Sequence, residues 1–126
     1  MKIRKILELT KGKIVNDYDD LDREVKGGCG ADLMSDVLAS IQPEAVLLTG
    51  LCNPQVVRTA VMADVAAIIM VRGKKVPQAT IDLANEEQIP LILSPCGMFE
   101  LCGILYNAGL PCFEKPISED ECICDE

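Results

Sequence analysis

Aliphatic and polar positions alternate along the chain in blocks that predict strands and helices in turn. Uninterrupted, strand-sized aliphatic runs lie at residues 45–48, 66–71 and 90–93. Such runs are typical of parallel strands that are buried on both faces. Between and after them, apolar residues recur at helical spacing. The alternation predicts an α/β fold, with a mainly parallel sheet flanked by helices and joined by right-handed crossovers.

The segments around these runs complete the predicted order of elements. Short strands are expected at residues 13–15 and 24–29. Five helices are expected: one from Ile3 that ends at Gly12, one that follows Asp32 as its N-cap, one that starts at Asn53-Pro54, one over residues 77–87 and one that starts at Ser94-Pro95. The last of these starts would make Cys96 the second residue of its helix. We assign residues 1–110 to one domain, and residues 111–126 to an acidic, cysteine-containing tail with little intrinsic structure.

Composition narrows the possible chemistry. The 126 residues carry seven Cys and no His, with two Tyr, two Phe and no Trp. The lack of His excludes imidazole bases and mixed Cys/His zinc sites. A net charge of −8 argues against a nucleic-acid partner. Since no carboxylate pair lies convincingly in the loops, we predict no catalytic residue.

The location follows from the N-terminus and the apolar runs. The first residues are basic, but no apolar signal segment follows them, and no run reaches the roughly 18 apolar residues of a membrane span. We expect a cytoplasmic protein without a membrane partner. Structural disulfides are rare in that compartment, so metal binding, redox chemistry or burial must account for the cysteines.

Three cysteines lie near the carboxyl ends of predicted strands, where ligands bind in parallel α/β sheets. They are Cys29, Cys52 and Cys96, and we predict that they converge on one metal, with Cys122 and Cys124 as further ligands. All-sulfur ligation suits an iron–sulfur cluster or a zinc ion. Backbone beside these cysteines is predicted to contact the cofactor at Gly28, Gly30, Asn53 and Gly97.

The remaining candidates have simpler interpretations. Cys102 follows the apolar stripe of the last helix and is expected to be core packing, whereas Cys112 is undecided and joins the tail cysteines as a reserve ligand. The basic loop at residues 72–75 is expected to be a solvated turn.

Several segments follow one another in an order known from one protein family, and they lie at residues 21–28, 32–38, 66–69, 89–93 and 99–106. Over roughly residues 2 to 110, the chain resembles the DRTGG domain family in this order of motifs. It implies a fold similar to the N-terminal domain of HPr kinase/phosphatase, and a regulatory or dimerising role rather than catalysis. Stand-alone, cysteine-rich members are described as iron–sulfur proteins associated with [FeFe]-hydrogenase or related redox gene clusters of anaerobes, and this chain looks like that subgroup.

Two functions follow. The first is a non-catalytic iron–sulfur protein that carries electrons or clusters, or senses redox state, for a hydrogenase-type partner. The alternative is a metal-free regulatory module that dimerises and senses a nucleotide-like small molecule through glycine-rich turns and helix N-termini. A zinc protein is a third possibility. A homodimer is expected in each case.

Overall fold

The structure, a computed structural model, describes residues 1–116, and a five-stranded sheet forms the centre of this part of the chain. The strands are β1 (Lys13–Ile14), β2 (Gly27–Gly30), β3 (Ala45–Thr49), β4 (Ala67–Met70) and β5 (Leu91–Leu93). Their spatial order is β1-β5-β4-β3-β2. The pairs from β2 to β5 are parallel, and β1 pairs antiparallel with β5. The predicted fold class is therefore confirmed.

The helices form a layer on each face of this sheet. They are α1 (Ile3–Thr10), α2 (Met34–Ser40), α3 (Pro54–Met62), α4 (Gln78–Glu87) and α5 (Met98–Asn107). One buried cluster joins the sheet to α2, α3 and α4, and a second joins it to α1 and α5. Because three successive crossovers step the same way along the sheet, right-handed connections place α2, α3 and α4 on one face.

Strand register explains how the aliphatic runs serve both layers. Leu47, Ile68 and Leu91 pair across β3, β4 and β5 and face α2 to α4. The next row consists of Leu48, Ile69 and Ile92, which pair across the same strands and face α1 and α5. Successive residues of a strand point to opposite faces, so an unbroken aliphatic run fills two cores.

The last helix begins later than its sequence predicts, at Met98. The Ser94 hydroxyl donates to the Thr10 carbonyl at 2.7 Å and accepts from the Cys96 N–H at 3.2 Å. The Cys96 carbonyl accepts from the Arg72 N–H at 2.8 Å. These bonds to other segments hold the Ser94–Cys96 backbone in a loop. The prediction that Cys96 is the second residue of a helix is wrong.

Asp32 does not cap a helix. Leu33 occupies the cap position before α2, and no side chain makes a capping bond there. One carboxylate oxygen of Asp32 instead accepts from the Gly50 N–H at 2.7 Å and from the Thr49 hydroxyl at 3.0 Å. These partners at the end of β3 compete with the helix for the carboxylate, and they tie the loop after β2 to the loop after β3.

A C-terminal strap, residues 111–115, lies along the outer side of β2. The Gly28 N–H donates to the Pro111 carbonyl at 2.9 Å, and the Phe113 N–H donates to the Gly28 carbonyl at 2.8 Å. These bonds differ from the expected lack of structure after residue 110, and they follow from the hydrogen-bonding groups that an uncovered β2 edge would leave unpaired. The domain division at residue 110 stays a prediction. Residues 117–126 lie outside the described part.

Candidate functional site

The three cysteines predicted as metal ligands do not meet. Cys29 lies within β2 and is 2% exposed in the cluster with α2 to α4. Cys52 packs against the same cluster, with its Sγ 3.7 Å from the Lys75 carbonyl oxygen. Cys96 packs against the cluster on the α1 and α5 side. The sheet therefore separates Cys96 from the other two.

This donor set does not fit one metal centre. Within residues 1–116, no three Cys, Asp or Glu side chains are grouped so that they could hold a metal ion. Cys122 and Cys124, the further predicted ligands, lie outside the described residues. The sequence could give the order of the loops but not the face of the sheet to which each loop leads.

Cys102 lines a cavity instead of packing in the core. Cys102 is exposed on α5, so the expectation of core packing is wrong. The cavity has a volume of about 140 Å³ and lies between α5, β2 and the strap. Cys29, Cys112 and Glu114 also line it, beside the apolar side chains of Leu48, Leu105 and Leu110. We call it the thiol cavity.

Two thiols of this cavity, those of Cys29 and Cys102, have raised pKa values. Burial, and then the negative charge of Glu114, raise the pKa of Cys29 from its ordinary value of 9.0 to about 12. The same two causes raise the pKa of Cys102. Since the thiolate is the nucleophile, raised pKa values disfavour nucleophilic chemistry by these two cysteines at neutral pH.

The predicted cofactor-contacting residues lie in β2 and before two helices. Gly28 and Gly30 lie in β2, where added Cβ atoms would approach Leu110 at 3.3 Å and the Cys102 Sγ at 3.3 Å. Asn53 precedes α3 without a side-chain capping bond, and Gly97 precedes α5. Their contact with one cofactor stays a prediction.

Polar groups converge at Gly50, after β3. Its N–H donates to Asp32 at 2.7 Å, and its carbonyl accepts from the Lys74 ammonium at 2.5 Å. A Cβ added at Gly50 would lie 3.4 Å from the Lys74 Nζ and 3.5 Å from the Asp32 Oδ2. The Asp32 carboxylate and the Lys74 ammonium thus both lie against Gly50. We call Asp32, Thr49, Gly50 and Lys74 the edge site.

The basic loop after β4 supplies the cation of the edge site. Arg72 and Gly73 both have left-handed backbone, with φ of 69° and 61°, and this turn directs Lys74 back over Gly50. Arg72, Lys74 and Lys75 are exposed, and none of them joins an ion pair within residues 1–116. Three cations at a strand's carboxyl end were the available sequence signal.

Backbone bonds limit the edge site on the β5 side. The helices after β4 and β5 lie on opposite faces, an arrangement that opens a crevice between the two loops in related sheets. Here the Arg72 N–H donates to Cys96 and the Gly73 N–H donates to Ser94, both at 2.8 Å. The loop after β5 is therefore tied down, and the polar groups of the edge site gather at the end of β3.

One finding concerns membranes. Among residues 1–116, no helix combines the length and the apolar character needed to span a bilayer. The cytoplasmic location stays a prediction.

Comparisons with known proteins agree with this fold. The solved structure of the CBS and DRTGG domains from the regulatory region of Clostridium perfringens pyrophosphatase, complexed with the activator diadenosine tetraphosphate, matches with a TM-score of 0.67 and 15% identity. The match covers 87% of this chain and 47% of that chain, so this chain spans about half the length of the solved one. No curated protein matches. A model of the DRTGG domain matches residues 5–108. The chain therefore belongs to the DRTGG domain family.

Proposed function

We propose that the protein is a regulatory module that senses a nucleotide-like small molecule at the edge site and acts as a dimer, without a bound metal. The observation that carries the proposal is the meeting of an exposed ammonium and an exposed carboxylate at one peptide, since Lys74 donates to the Gly50 carbonyl and Asp32 accepts from the Gly50 N–H. Nucleotides present both kinds of complementary group, because their phosphates accept hydrogen bonds and their ribose hydroxyls donate them.

The roles follow from the charges. Lys74 and its loop neighbours Arg72 and Lys75 would pair with phosphate oxygens through charge-assisted hydrogen bonds. Asp32 would accept from a ribose hydroxyl, the role that a carboxylate after a parallel strand has in dinucleotide-binding folds. Only one oxygen of Asp32 is used within residues 1–116, by Gly50 and Thr49, so the other can receive a ligand donor.

The family and the structural neighbour support a regulatory role. The chain matches the DRTGG domain, and the similar pyrophosphatase region is regulatory and was crystallised with a dinucleoside polyphosphate activator. The identity is 15%, so the ligand of that protein suggests probes for this one.

The first function expected from the sequence, an iron–sulfur protein with a hydrogenase partner, is not the function that we propose. It requires Cys29, Cys52 and Cys96 to share one centre, whereas Cys96 lies on the other side of the sheet from Cys52.

A thermal-shift titration of metal-free protein tests the proposal. ATP and diadenosine tetraphosphate are expected to raise the melting temperature, because a ligand that binds only the folded state stabilises it. Inorganic phosphate should shift it less. In Lys74→Ala, nucleotide affinity should fall about tenfold or more, as expected for loss of a charge-assisted hydrogen bond.

Lys2→Ala is the matched control. Lys2 is an exposed lysine that pairs through its backbone with Glu24. Because Glu24 precedes β2, Lys2 lies at the amino-terminal end of the parallel strands, whereas the edge site lies at their carboxyl end. Its loss should leave nucleotide affinity unchanged. The proposal is overturned if no nucleotide changes the melting temperature, or if Lys74→Ala and Asp32→Ala bind as well as the unmodified chain.

A further inference from the structure

The outer face of α5 is apolar and uncovered within the described chain. Phe99 is 95% exposed and Tyr106 is 66% exposed, and Cys102 and Gly103 between them are exposed too. These four residues have the spacing i, i+3, i+4 and i+7, which places them on one face of a helix. Leu101 and Leu105 form the opposite, buried face. Exposed aromatic faces of this kind mark interaction sites.

The order of residues on this face is self-complementary. Suppose that two copies of α5 cross antiparallel about a point between Cys102 and Gly103. The aromatic residues of one copy then face those of the other copy, and the small residues at the crossing point face each other. Phe99 then lies opposite Tyr106 of the partner subunit. Cys102 and Gly103 at the crossing point allow the two helices a close approach. A two-fold dimer requires such an isologous surface.

Charge at the ends of the helix favours the same antiparallel arrangement. Glu100 is exposed in the first turn of α5. At the other end, Lys5 and Lys26 line a groove beside Ala108 and Gly109. An antiparallel crossing brings the carboxylate of one copy to the lysines of the other.

The existing partners of these lysines do not prevent that exchange. Lys5 pairs with Glu8 at 3.4 Å and Lys26 with Glu44 at 2.9 Å, and each pair is at the surface. Such pairs contribute little to stability. Glu24 in the same groove pairs with the amino group of Met1 at 3.1 Å.

The thiol cavity offers space for one partner side chain. It opens beside Cys102 and Tyr106 on α5 and has a volume of about 140 Å³. This is below the roughly 300 Å³ at which small-molecule pockets begin. Its apolar walls suit an aromatic ring. Phe99 of the partner subunit arrives next to Tyr106 and therefore beside the cavity.

We propose that the face of α5 formed by Phe99, Cys102, Gly103 and Tyr106 is the interface of a two-fold homodimer, in which Phe99 of each subunit packs against Tyr106 and the thiol cavity of the other. The inference rests on the dimeric part of the proposed function and specifies its surface. The occupant is a second copy of this chain.

Sedimentation velocity on the reduced full-length chain tests the interface. Gly103→Gln is the main variant, because nothing lies within 4 Å of a Cβ at that position and glutamine is the better helix former. The monomer should therefore fold while the crossing point is blocked. We expect the dimer dissociation constant to rise about tenfold or more in Gly103→Gln and in Phe99→Asp.

Met62→Asp is the control. Met62 is 72% exposed at the end of α3, on the other side of the sheet, and its variant should remain dimeric. A bismaleimide should also link Cys102 to Cys102 of the partner subunit, and Cys102→Ser should remove that peptide from the mass spectrum.

Two results would overturn the interface. One is a wild-type chain that sediments as a monomer at every concentration. The other is a dimer that persists in Gly103→Gln but dissociates in Met62→Asp. Nucleotide binding that survives in a monomeric Gly103→Gln would leave the edge site intact, so failure of the two proposals can be distinguished.

Discussion

The edge site and the thiol cavity are both built around β2 and its neighbours, but different forces shape them. At the edge site, hydrogen bonds from Asp32 and Lys74 meet at the Gly50 peptide, and charged side chains remain exposed. In the thiol cavity, apolar side chains and thiols surround a small space, with the Glu114 carboxylate as its charged group. The edge site can recognise charge, whereas the thiol cavity mainly offers shape and apolar surface.

This difference shows why counting reactive residue types misdirects a search for function. Cysteine is the unusual feature of the composition, yet burial keeps the Cys29 thiol protonated. Lysine is ordinary, yet the turn at Arg72 and Gly73 brings Lys74 over the end of β3. The chemical capacity of a side chain depends on its surroundings as much as on its type.

The largest expected effect concerns the packing of the strap against β2, the strand that the thiol cavity and the α2 side share. A Cβ added at Gly27 would lie 2.2 Å from the Phe113 ring of the strap. Gly27→Ala should therefore lower the free energy of unfolding by about 3 kcal/mol, the upper part of the range for overpacking. Urea unfolding measures it. The double variant Gly27→Ala/Phe113→Ala should lose less free energy of unfolding than the two single variants lose together. Losses that simply add would contradict the close contact.

The second effect is a pH dependence of the free energy of unfolding, which we expect from the cavity and not from the edge site. The unfolded chain releases the Cys29 proton near the ordinary pKa of 9.0, whereas the native state keeps it until about 12. Between these values the unfolded state binds fewer protons, so stability falls as pH rises, by up to about 1.4 kcal/mol per pH unit. Below pH 9 this contribution is fully present.

Cys29→Ala isolates that contribution. Its free energy of unfolding, followed by denaturant titration from neutral to alkaline pH, should decrease less steeply above pH 9 than that of the unmodified chain. Cys52→Ala, which removes a half-buried cysteine from the loop after β3, should retain the steep decrease. Equal slopes in Cys29→Ala and the unmodified chain would contradict a buried, neutral Cys29 thiol.

The smallest effect concerns the hydrogen bonds of the edge site. Asp32→Ala removes the acceptor of the Gly50 N–H and of the fully buried Thr49 hydroxyl. We expect a loss of about 1–2 kcal/mol by thermal or urea unfolding, since an unpaired polar group remains. Asp32→Asn keeps an acceptor and should lose less. Asp36→Ala, an exposed carboxylate on α2, should change stability little, and an equal loss there would refute the specific role of Asp32.

Much of the fold follows from sequence because aliphatic runs report burial directly. The runs at residues 45–48, 66–71 and 90–93 match β3, β4 and β5 to within one residue at each end, and their continuous hydrophobicity indicates a sheet covered on both faces. The cap predictions at Asp32 and Ser94 failed because both side chains bind distant segments, and local pattern carries no information about such partners.

The candidate site was less predictable for the same reason. The carboxyl-edge rule correctly directs attention to the loops after the strands, but it does not say which side chains point to a common position. Cys96 and Cys52 lie on opposite faces because the loop after β5 leads to α5 rather than to the α2–α4 layer. The contact between Lys74 and Gly50 depends on a turn that joins two loops 24 residues apart.

Amide chemical-shift mapping tests the central claim most directly. In ¹H–¹⁵N spectra of labelled full-length protein titrated with ATP, the account predicts that the amides of Gly50, Leu51, Gly73 and Lys74 move first and furthest. The amides of Gly28, Gly30 and Tyr106, which report on the thiol cavity, should move little. The largest shifts around Gly28, Gly30 and Tyr106, or none in either region at saturating nucleotide, would contradict a ligand site formed by Asp32, Gly50 and Lys74.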